Sequence, residues 1–553
     1  MPSIDSWLTS LKRNHQGTDD CPVWPPDLFA ICGSLLKISG AYLRIFERDN
    51  RDAQWVDAHK PGSDWRERFD KMRRVSPASL GRAVPDAVRS QWDVIIASKS
   101  VAIGAIKRHA VADALIRLTL IADESSVGIG VSTESTPFLT TAQSMLESNE
   151  LLSFTWDVPR DSVCALGKQH TPQRGATFRS LSHHLSLYWP NDIEGRWVGP
   201  YERGQEDKPA DTVNLLLLPW PTEVDSADFH MAAPRKTNKN SRSHFFDYHP
   251  SGRATLAAFR KKMSTALDQA RTHAKQVDAV VFPEAALSLN EYWEAEKLAL
   301  KAKVMLIGGV RIPSRRGVPG LNLCAIQPTG LLLSPKGPGV RASRKLQQEM
   351  TERFRLMQSK HHRWCLDKEQ ILQYQLAGQV PPCDAVWENI GLPPRVLHFV
   401  TLGHWMTWSV LICEDLARQD PAADLIRSVG PNLLITLLMD GPQLRGRWPS
   451  RYASVLAEDP GTSVLTLTSL GMAERCRPTL RATGQRADKS RAIALWRDVD
   501  SGEQEIVLDP GHDACILTLV CKSRQEIAAD GRGDGTQSHF PVYAGYRSFS
   551  ASG

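Results

Sequence analysis

A regular series of short apolar runs begins near residue 212 and limits the folds that this chain can adopt. The runs are bounded by turn signals and read "VNLLLLPW", "VDAVVFPE", "VMLIGGVRI", "WMTWSVLIC", "NLLITLLMD" and "SVLTLTSL". Several precede amphipathic segments of helical length, such as residues 254–276. Continuous apolar strands that alternate with helices predict an α/β architecture whose strands are buried on both faces.

The chain changes character near residue 200. Before it, segments with helical periodicity alternate with stretches of no clear period, and no catalytic set is recognisable. Residues 190–212 are rich in proline, glycine and charge, as is typical of a connector. We therefore predict a mostly helical N-terminal domain of unknown function at 1–200, a linker at 201–211, an α/β domain at 212–533 and a C-terminal tail at 534–553. The tail could cross a dimer interface or be disordered.

Composition excludes several classes of protein. The 553 residues are 42% hydrophobic and 23% charged, as in soluble globular proteins. The longest apolar runs are roughly half the ~20 residues that a membrane-spanning helix needs, and "MPSIDSWLTSLKRNH" lacks the features of a secretory signal. The ten scattered cysteines form no Cys-x-x-Cys pair, and a net charge of +6 is a mild excess. We expect a cytoplasmic protein with reduced thiols, no structural metal, no membrane contact and no extended nucleic-acid groove.

Two chemical residues follow apolar runs. Glu284 lies in "AVVFPEAAL", where we expect the strand to end at Phe282 and Pro283 to open a helix. Proline followed by an acid is also how an ordinary helix starts, so this motif alone favours a structural role. Cys413 lies in "VLICEDLAR" between a strand and a helix, where free backbone N–H groups and the helix dipole favour a thiolate. An equally good interpretation is that this cysteine is a small apolar residue packed in the core, with no chemical role.

Together, "VVFPEAAL" and "LICEDLAR" resemble the glutamate and cysteine motifs of the nitrilase superfamily, the carbon–nitrogen hydrolases. The order Glu, Lys, Cys and the strand–helix–strand pattern after the cysteine also match, over roughly residues 212–532. The resemblance implies an αββα sandwich with a Glu–Lys–Cys triad at strand ends.

The triad lysine is carried over to Lys360 of "RLMQSKHHRWCLDKEQ", because histidines follow it as in the family. The aromatic residue and arginine that usually precede the lysine are missing, and Lys345 of "RASRKLQQEM" is the alternative. The gap from Lys360 to Cys413 is longer than usual in the family, and residues 377–395 are the expected insertion. The second glutamate of many family members is carried over to Glu369, and Glu414 and Asp415 are read as helix N-terminal acids, with Asp415 or Arg418 bracing the site.

This resemblance implies hydrolysis of a non-peptide carbon–nitrogen bond, in an amide rather than a nitrile, through a cysteine thioester. Cys413 would be the nucleophile, Glu284 the general acid and base, and Lys360 the group that faces the oxyanion. No metal or organic cofactor is required. A homodimer or larger homo-oligomer is implied as well.

One rival hypothesis is a catalytically silent module on the same fold that serves binding or assembly. Nitrilase-like domains also occur fused to, or beside, bacterial reverse transcriptases in phage-defence systems, and residues 166–190 are similar to the segment that precedes the hydrolase there. The chain has no Tyr-x-Asp-Asp motif, so a reverse transcriptase would be a separate partner in antiviral defence.

Overall fold

The structure is a computed structural model. It describes residues 2–47, 58–72, 77–129, 136–149, 152–169, 175–201, 212–232, 244–250, 255–315, 318–329, 344–402, 406–476, 489–533 and 537–551. The expected linker at 201–211 lies outside the described residues except for Tyr201.

The described residues contain helices throughout the chain, with most of the strands after residue 190. The helices are α1 Ile4–Ser10, α2 Pro25–Ser39, α3 His59–Asp70, α4 Pro77–Ala83, α5 Asp86–Ala97, α6 Val111–Ser125, α7 Pro137–Asn149, α8 Leu256–His273, α9 Leu289–Ala302, α10 Arg344–Arg353, α11 Lys368–Gln373, α12 Glu414–Ala417, α13 Ala422–Val429, α14 Trp448–Glu458 and α15 Leu470–Arg475. The strands are β1 Cys164–Gly167, β2 Leu185–Tyr188, β3 Glu194–Tyr201, β4 Thr212–Leu217, β5 Phe229–Met231, β6 His244–Tyr248, β7 Ala279–Leu287, β8 Met305–Ile312, β9 Leu321–Gln327, β10 Leu356–Ser359, β11 Cys365–Leu366, β12 Val386–Glu388, β13 Val396–Leu402, β14 Met406–Ile412, β15 Leu433–Leu438, β16 Ser463–Thr468, β17 Ala492–Asp498, β18 Gly502–Val507, β19 Ala514–Gln525 and β20 Gln537–Phe549.

Two seven-stranded sheets form the centre of the α/β region. The first has the order β10-β9-β8-β7-β4-β19-β20 and the second β18-β17-β16-β15-β14-β13-β3. Their facing sides share one apolar core, to which Leu215 and Val281 contribute from the first sheet and Val410 and Ile435 from the second. Helices α8 and α9 cover the outer face of the first sheet, and α13 and α14 that of the second. The expected αββα sandwich is therefore confirmed, because strands that are apolar on both faces must be covered on both.

The region before residue 190 is mainly helical, as expected, and has its own apolar core. The strand β3, however, pairs in parallel with β13 and is the edge strand of the second sheet. Residues 194–200, which the sequence assigns to the N-terminal domain, thus belong to the sandwich. The buried Arg532 guanidinium further joins the two regions, since it contacts Asp123 at 3.0 Å and Glu124 at 3.3 Å.

The C-terminal segment is part of the first sheet and not a tail. Strand β20 pairs antiparallel with β19 from Gln537 to Phe549. Its alternating residues Phe540 and Val542 are buried, and such burial on a paired strand orders the backbone.

A third, four-stranded sheet with the order β11-β12-β6-β5 lies beside the sandwich. Its residues Phe246 and Val386, together with Trp364 just before β11, share an apolar cluster with Ala285 in the irregular end of β7 and with Met439, which follows β15. This small sheet therefore covers the edge at which β7 and β15 end. No helix in the described part of the chain is long and apolar enough to cross a lipid bilayer.

Candidate active site

Glu284 lies within an irregular end of strand β7 and not at the start of a helix, as the sequence suggested. The strand continues to Leu287, and its pairing with β8 is interrupted by a bulge between Phe282 and Leu287. Ala285 adopts a positive φ of 49°, a conformation that turns the backbone sharply and that non-glycine residues rarely occupy. Helix α9 begins only after the Ser288 cap. The bulge re-aims the Glu284 side chain toward the interior, where the residue is 3% exposed.

Gly309 on the neighbouring strand β8 makes this bulge sterically feasible. A Cβ at Gly309 would lie 2.3 Å from the Pro283 carbonyl oxygen and 2.6 Å from the Glu284 Cα. Both distances are well inside van der Waals contact, so the strand can approach the Glu284 backbone only where a side chain is absent.

Lys360 follows strand β10, which pairs antiparallel with β9. Its Nζ donates to Glu284 Oε1 at 2.7 Å and to Glu388 Oε2 at 2.7 Å, and its side chain is fully buried. The Lys360 backbone N–H donates to the Asn322 carbonyl at 2.9 Å. The ammonium is thus held between two carboxylates in the interior, and charge-assisted bonds of this length are among the stronger hydrogen bonds in proteins.

Gln358, two residues before the lysine, joins the two large sheets. Its Nε2 donates to the Val410 carbonyl on β14 at 2.7 Å, and its Oε1 accepts from the His398 backbone N–H on β13 at 3.2 Å. This buried amide fixes β10 against the strand that leads to Cys413.

The second glutamate of the site is Glu388 and not Glu369. Glu369 lies in the first turn of α11 and is exposed, so it makes no part of the buried group. Glu388 ends the short strand β12 of the small sheet. In addition to Lys360, it accepts from Asn322 Nδ2 at 2.9 Å and from the Trp364 backbone N–H at 3.1 Å.

Asn322 on β9 bridges the two carboxylates. Its Nδ2 donates to Glu284 Oε1 at 2.8 Å as well as to Glu388. Oε1 of Glu284 therefore accepts two hydrogen bonds, whereas Oε2 is buried and has no hydrogen-bond partner in the described part of the chain. The free oxygen is the one that can accept or return a proton.

Cys413 lies at the turn from β14 into the short helix α12, as the sequence predicted. Its backbone has φ 47° and ψ −105°, a strained conformation that costs of order 1–3 kcal/mol and that clusters at functional sites. The Cys413 N–H donates to the Leu437 carbonyl on the adjacent strand β15 at 2.9 Å. Packing and this bond hold the residue, which is 3% exposed.

The carboxylate of Asp415 connects the cysteine turn to the lysine segment. It is buried and accepts from the backbone N–H groups of His361, at 3.0 and 3.1 Å, and His362, at 3.0 Å. It also contacts His362 Nδ1 at 3.0 Å. Asp415 therefore ties the cysteine turn to the backbone that follows Lys360. Glu414 instead pairs with the partly exposed Arg418 at 3.1 Å, one turn along the same short segment.

The electrostatics of the site differ from the thiolate that the sequence suggested. Burial raises the pKa of the Cys413 thiol well above its ordinary 9.0. The Glu284, Glu414 and Asp440 carboxylates raise it further, and Lys360 opposes them. Helix α12 has four residues, too short for its dipole to outweigh these effects. The resting sulfur is therefore a thiol that needs a base.

The same burial determines the state of that base. It raises the pKa of the Glu284 carboxyl above its ordinary 4.5, although Lys360 opposes the shift. Burial alone would lower the pKa of Lys360, but Glu284 and Glu388 together raise it well above 10.5. The site combines a permanent cation with a carboxyl of enhanced proton affinity.

The structure thus brings Glu284, Lys360 and Cys413 to one edge of the sandwich, together with Asp415. It leaves Glu369 outside, and the Lys345 side chain lies outside the described residues. Sequence reasoning missed Asn322, whose signal was a polar residue in the apolar strand "LNLCAIQ", and Glu388, which lies in the expected insertion at 377–395. Within the described ranges, no group of three or more His, Cys, Asp or Glu side chains is placed to hold a metal ion.

Comparisons with known proteins find similarity in solved structures only. No family model matches the sequence, and no curated protein matches it. The similar structures include a CN-hydrolase superfamily protein from Xanthomonas campestris (13% identity, TM-score 0.29, 56% of this chain and 89% of that chain). Others are Saccharomyces cerevisiae Nit3 of the nitrilase superfamily (12%, 0.32, 56% and 90%) and an amidase from Nesterenkonia sp. (9%, 0.30, 56% and 90%).

At such identities and TM-scores, these matches establish nothing about activity. The architecture rests on the two stacked sheets and the helices that cover them. Over about 56% of its length the chain is similar to solved members of the carbon–nitrogen hydrolase superfamily, the superfamily that its two sequence motifs resemble.

Proposed function

We propose that the chain hydrolyses an amide carbon–nitrogen bond through a thioester on Cys413. The observation that carries this proposal is the buried Lys360 ammonium, fixed at 2.7 Å from both Glu284 and Glu388, beside a cysteine held in a strained turn. Three charged groups in the interior cost folding free energy. The raised pKa values of Glu284 and Lys360 within this cluster are typical of sites that perform chemistry.

In the first half-reaction, Glu284 takes the proton of the Cys413 thiol, and the sulfur attacks the amide carbon. Glu284 Oε2 suits this role because its lone pairs have no protein donor in the described part of the chain. The carbon–nitrogen bond breaks as Glu284 returns the proton to the departing nitrogen, which leaves as ammonia or an amine. Positioned proton transfer of this kind is typically worth about 10²–10⁴ in rate.

Negative charge develops on the carbonyl oxygen during the attack. Two of the three Lys360 N–H bonds point to Glu284 and Glu388, which leaves the third for the oxyanion. The Glu414 backbone N–H, in the first turn of α12, has no acceptor within that helix and can supply a second donor. One such donor contributes roughly 10²–10³ in rate.

In the second half-reaction, Glu284 deprotonates a water molecule that attacks the thioester carbon. The carbon–sulfur bond breaks, the sulfur regains a proton, and a carboxylic acid leaves. The sum is amide plus water giving acid plus ammonia or amine, with no change in oxidation state. The choice of an amide over a nitrile follows from the resemblance alone, because attack on either carbon uses the same thiol, base and cation.

Acyl transfer to hydroxylamine tests this function. The protein is incubated with primary amides of varied acyl groups, and ammonia and hydroxamates are measured. We expect ammonia from at least one amide, hydroxamate when hydroxylamine competes with water, and neither product with Cys413→Ala or Lys360→Met. Absence of both products with the wild-type protein over a broad panel of amides and nitriles would leave the silent module as the better hypothesis.

The finer expectations about partners stay predictions. A homodimer or larger assembly and a separate reverse-transcriptase partner in antiviral defence follow only from the resemblance, and a cytoplasmic location follows only from the composition of the sequence. Light scattering of the purified chain measures its oligomeric state. Co-purification from cells that carry a neighbouring reverse transcriptase tests the association with that partner.

A further inference from the structure

The carboxylate of Asp440 lies at the same edge of the sheet as Cys413 and has no role in the reaction described above. Strands β14 and β15 pair in parallel with Ile412 opposite Leu437, so the residues that follow each strand leave the sheet at the same edge. Cys413 is the first residue after β14, and Met439 and Asp440 follow β15. The carboxyl ends of adjacent parallel strands are where ligands of α/β proteins bind.

Asp440 is held firmly by one oxygen and left free at the other. Its Oδ1 accepts from the Tyr374 hydroxyl and from Arg447 Nη2, the latter at 2.9 Å, and its backbone N–H donates to Thr468 Oγ1 at 3.2 Å. Oδ2 is buried and has no hydrogen-bond partner in the described ranges, and the residue is 3% exposed. A buried carboxylate oxygen without a donor costs free energy unless a ligand supplies one.

The surroundings of Asp440 are apolar on the side of the small sheet. Met439 shares an apolar cluster with Ala285, which follows the catalytic base, and with Trp364 and Tyr374. An acceptor among such groups distinguishes ligands sharply, because a ligand that lacks a donor leaves the carboxylate unpaired.

The charges that act on the Cys413 sulfur are also unbalanced. Glu414 pairs with Arg418 and Asp440 pairs with Arg447, so the charges of these two carboxylates are largely balanced. The carboxylates of Glu284 and Glu388 share the ammonium of Lys360, which leaves an excess of one negative charge. This surplus of negative charge disfavours an anionic ligand and favours a cationic one.

We propose that Asp440 is a specificity-determining residue whose free Oδ2 accepts an N–H from the substrate. The substrate is then an amide that carries, apart from the scissile bond, a cationic N–H donor such as an ammonium or guanidinium group. Tyr374 and Arg447 are positioning residues that fix the carboxylate. The substrate assignment rests on the hydrolase function proposed above.

Labelling of Cys413 with small methanethiosulfonates tests the recognition without requiring hydrolysis. Four reagents that differ only in the transferred group are compared on the full chain: 2-aminoethyl, 2-(trimethylammonio)ethyl, 2-sulfonatoethyl and methyl. Peptide mass analysis reads the rate at Cys413, and the uncharged methyl reagent normalises each protein for access and thiol reactivity. We expect the aminoethyl group to react at least about tenfold faster than the trimethylammonio group, the factor of one charged hydrogen bond, and faster still than the sulfonate.

Asp440→Asn should abolish the preference for aminoethyl over trimethylammonio. Glu414→Gln is the matched control, since it removes a carboxylate that acts on the same sulfur but is paired with Arg418, and it should keep the preference. Tyr374→Phe keeps the Asp440 charge but removes one of the two donors that fix the carboxylate, so it should reduce the preference without abolishing it.

Equal rates for aminoethyl and trimethylammonio on the wild-type protein would overturn the proposal. So would an equal loss of preference in Asp440→Asn and Glu414→Gln, because the effect would then be one of general charge. Failure of the hydrolase function gives a different result, namely no ammonia or hydroxamate from any amide while the labelling preference persists.

Discussion

Replacing Glu388 by glutamine distinguishes the site seen in the structure, which contains Glu388, from the site that the family resemblance implies, which contains Glu369. Glu388 accepts three hydrogen bonds: from Lys360 at 2.7 Å, Asn322 at 2.9 Å and the Trp364 N–H at 3.1 Å. Glutamine keeps the shape but removes the charge, and its amide group turns a donor toward partners that are themselves donors.

The expected cost can be worked from these contacts. A hydrogen bond to a charged group contributes about 1.5–3 kcal/mol and a neutral one about 0.5–1.5 kcal/mol. Three bonds weakened by about 1 kcal/mol each give a loss of about 3 kcal/mol in the free energy of unfolding. The unfolding entropy is about 2.1 cal/mol/K per residue. If the sandwich of roughly 350 residues unfolds as one unit, dividing the lost free energy by its total unfolding entropy gives a fall of about 4 °C in the melting temperature.

The activity should fall further than the stability suggests. Lys360 loses one of its two anchors, so the ammonium no longer faces the oxyanion in a fixed position, and kcat/KM should drop by about 10²–10³. The acid limb of the pH profile should also move. Because the Glu388 carboxylate helps to raise the pKa of Glu284, its removal lowers that pKa, and the deprotonated base persists to lower pH.

The assays are thermal unfolding, hydroxamate formation and the pH dependence of kcat/KM. Glu369→Gln is the matched control, since Glu369 is the glutamate that the family resemblance implies and is exposed on α11. It should change the melting temperature and the rate little. Equal losses in the two variants, or an unaltered Glu388→Gln protein, would refute the assignment of Glu388.

Three further predictions concern the backbone and the thiol. Gly309→Ala should lower the free energy of unfolding by about 1–3 kcal/mol and reduce activity, because the added Cβ would clash with the Glu284 backbone. Gly378→Ala is the control, since a Cβ there meets nothing within 4 Å, and it should change neither the free energy of unfolding nor the activity. Asp415→Asn should lower kcat/KM by at least about tenfold, while the Cys413 thiol still reacts with a thiol reagent. The variant weakens the acceptor that holds the lysine segment, and each 1.4 kcal/mol lost is a factor of ten in rate. An unchanged kcat/KM would contradict the bracing role. Iodoacetamide should alkylate Cys413 slowly at neutral pH, and the rate should still be rising at pH 9, because burial raises the thiol pKa well above its ordinary 9.0. Rapid alkylation at pH 6 would indicate a resting thiolate instead.

The fold could be predicted from the sequence because buried strands have a strong local pattern of apolar residues. The runs that end at Phe282 and Ile412 are apolar throughout and are bounded by turn residues, so they predicted central strands and placed Glu284 and Cys413 at one edge. The conformation at that edge was not predictable in the same way. The strand β7 continues through Pro283 because a bulge and the missing Cβ of Gly309 let two strands approach, which is a contact between segments 25 residues apart.

Glu388 was missed for a related reason. It lies in the proline-containing segment 377–395, which has the composition of a loop. Only the pairing of β12 with β6 and β11 brings it against Lys360. Such small sheets depend on tertiary contacts more than on local propensity. The same holds for β3 and β20, whose strand character comes from pairing with the edges of the large sheets.

The most direct test of the account is intact-mass analysis of the wild-type protein, quenched with acid during turnover of amides that bear an amino or guanidino group. The thioester forms and breaks down in every cycle, so a fraction of the protein should carry the acyl group during steady turnover. We expect a mass increase equal to the acyl group, mapped to Cys413 and absent in the Cys413→Ala variant. An adduct that persists without Cys413, or turnover of an amide by a protein that lacks this sulfur, would contradict the claim that Cys413 is the nucleophile.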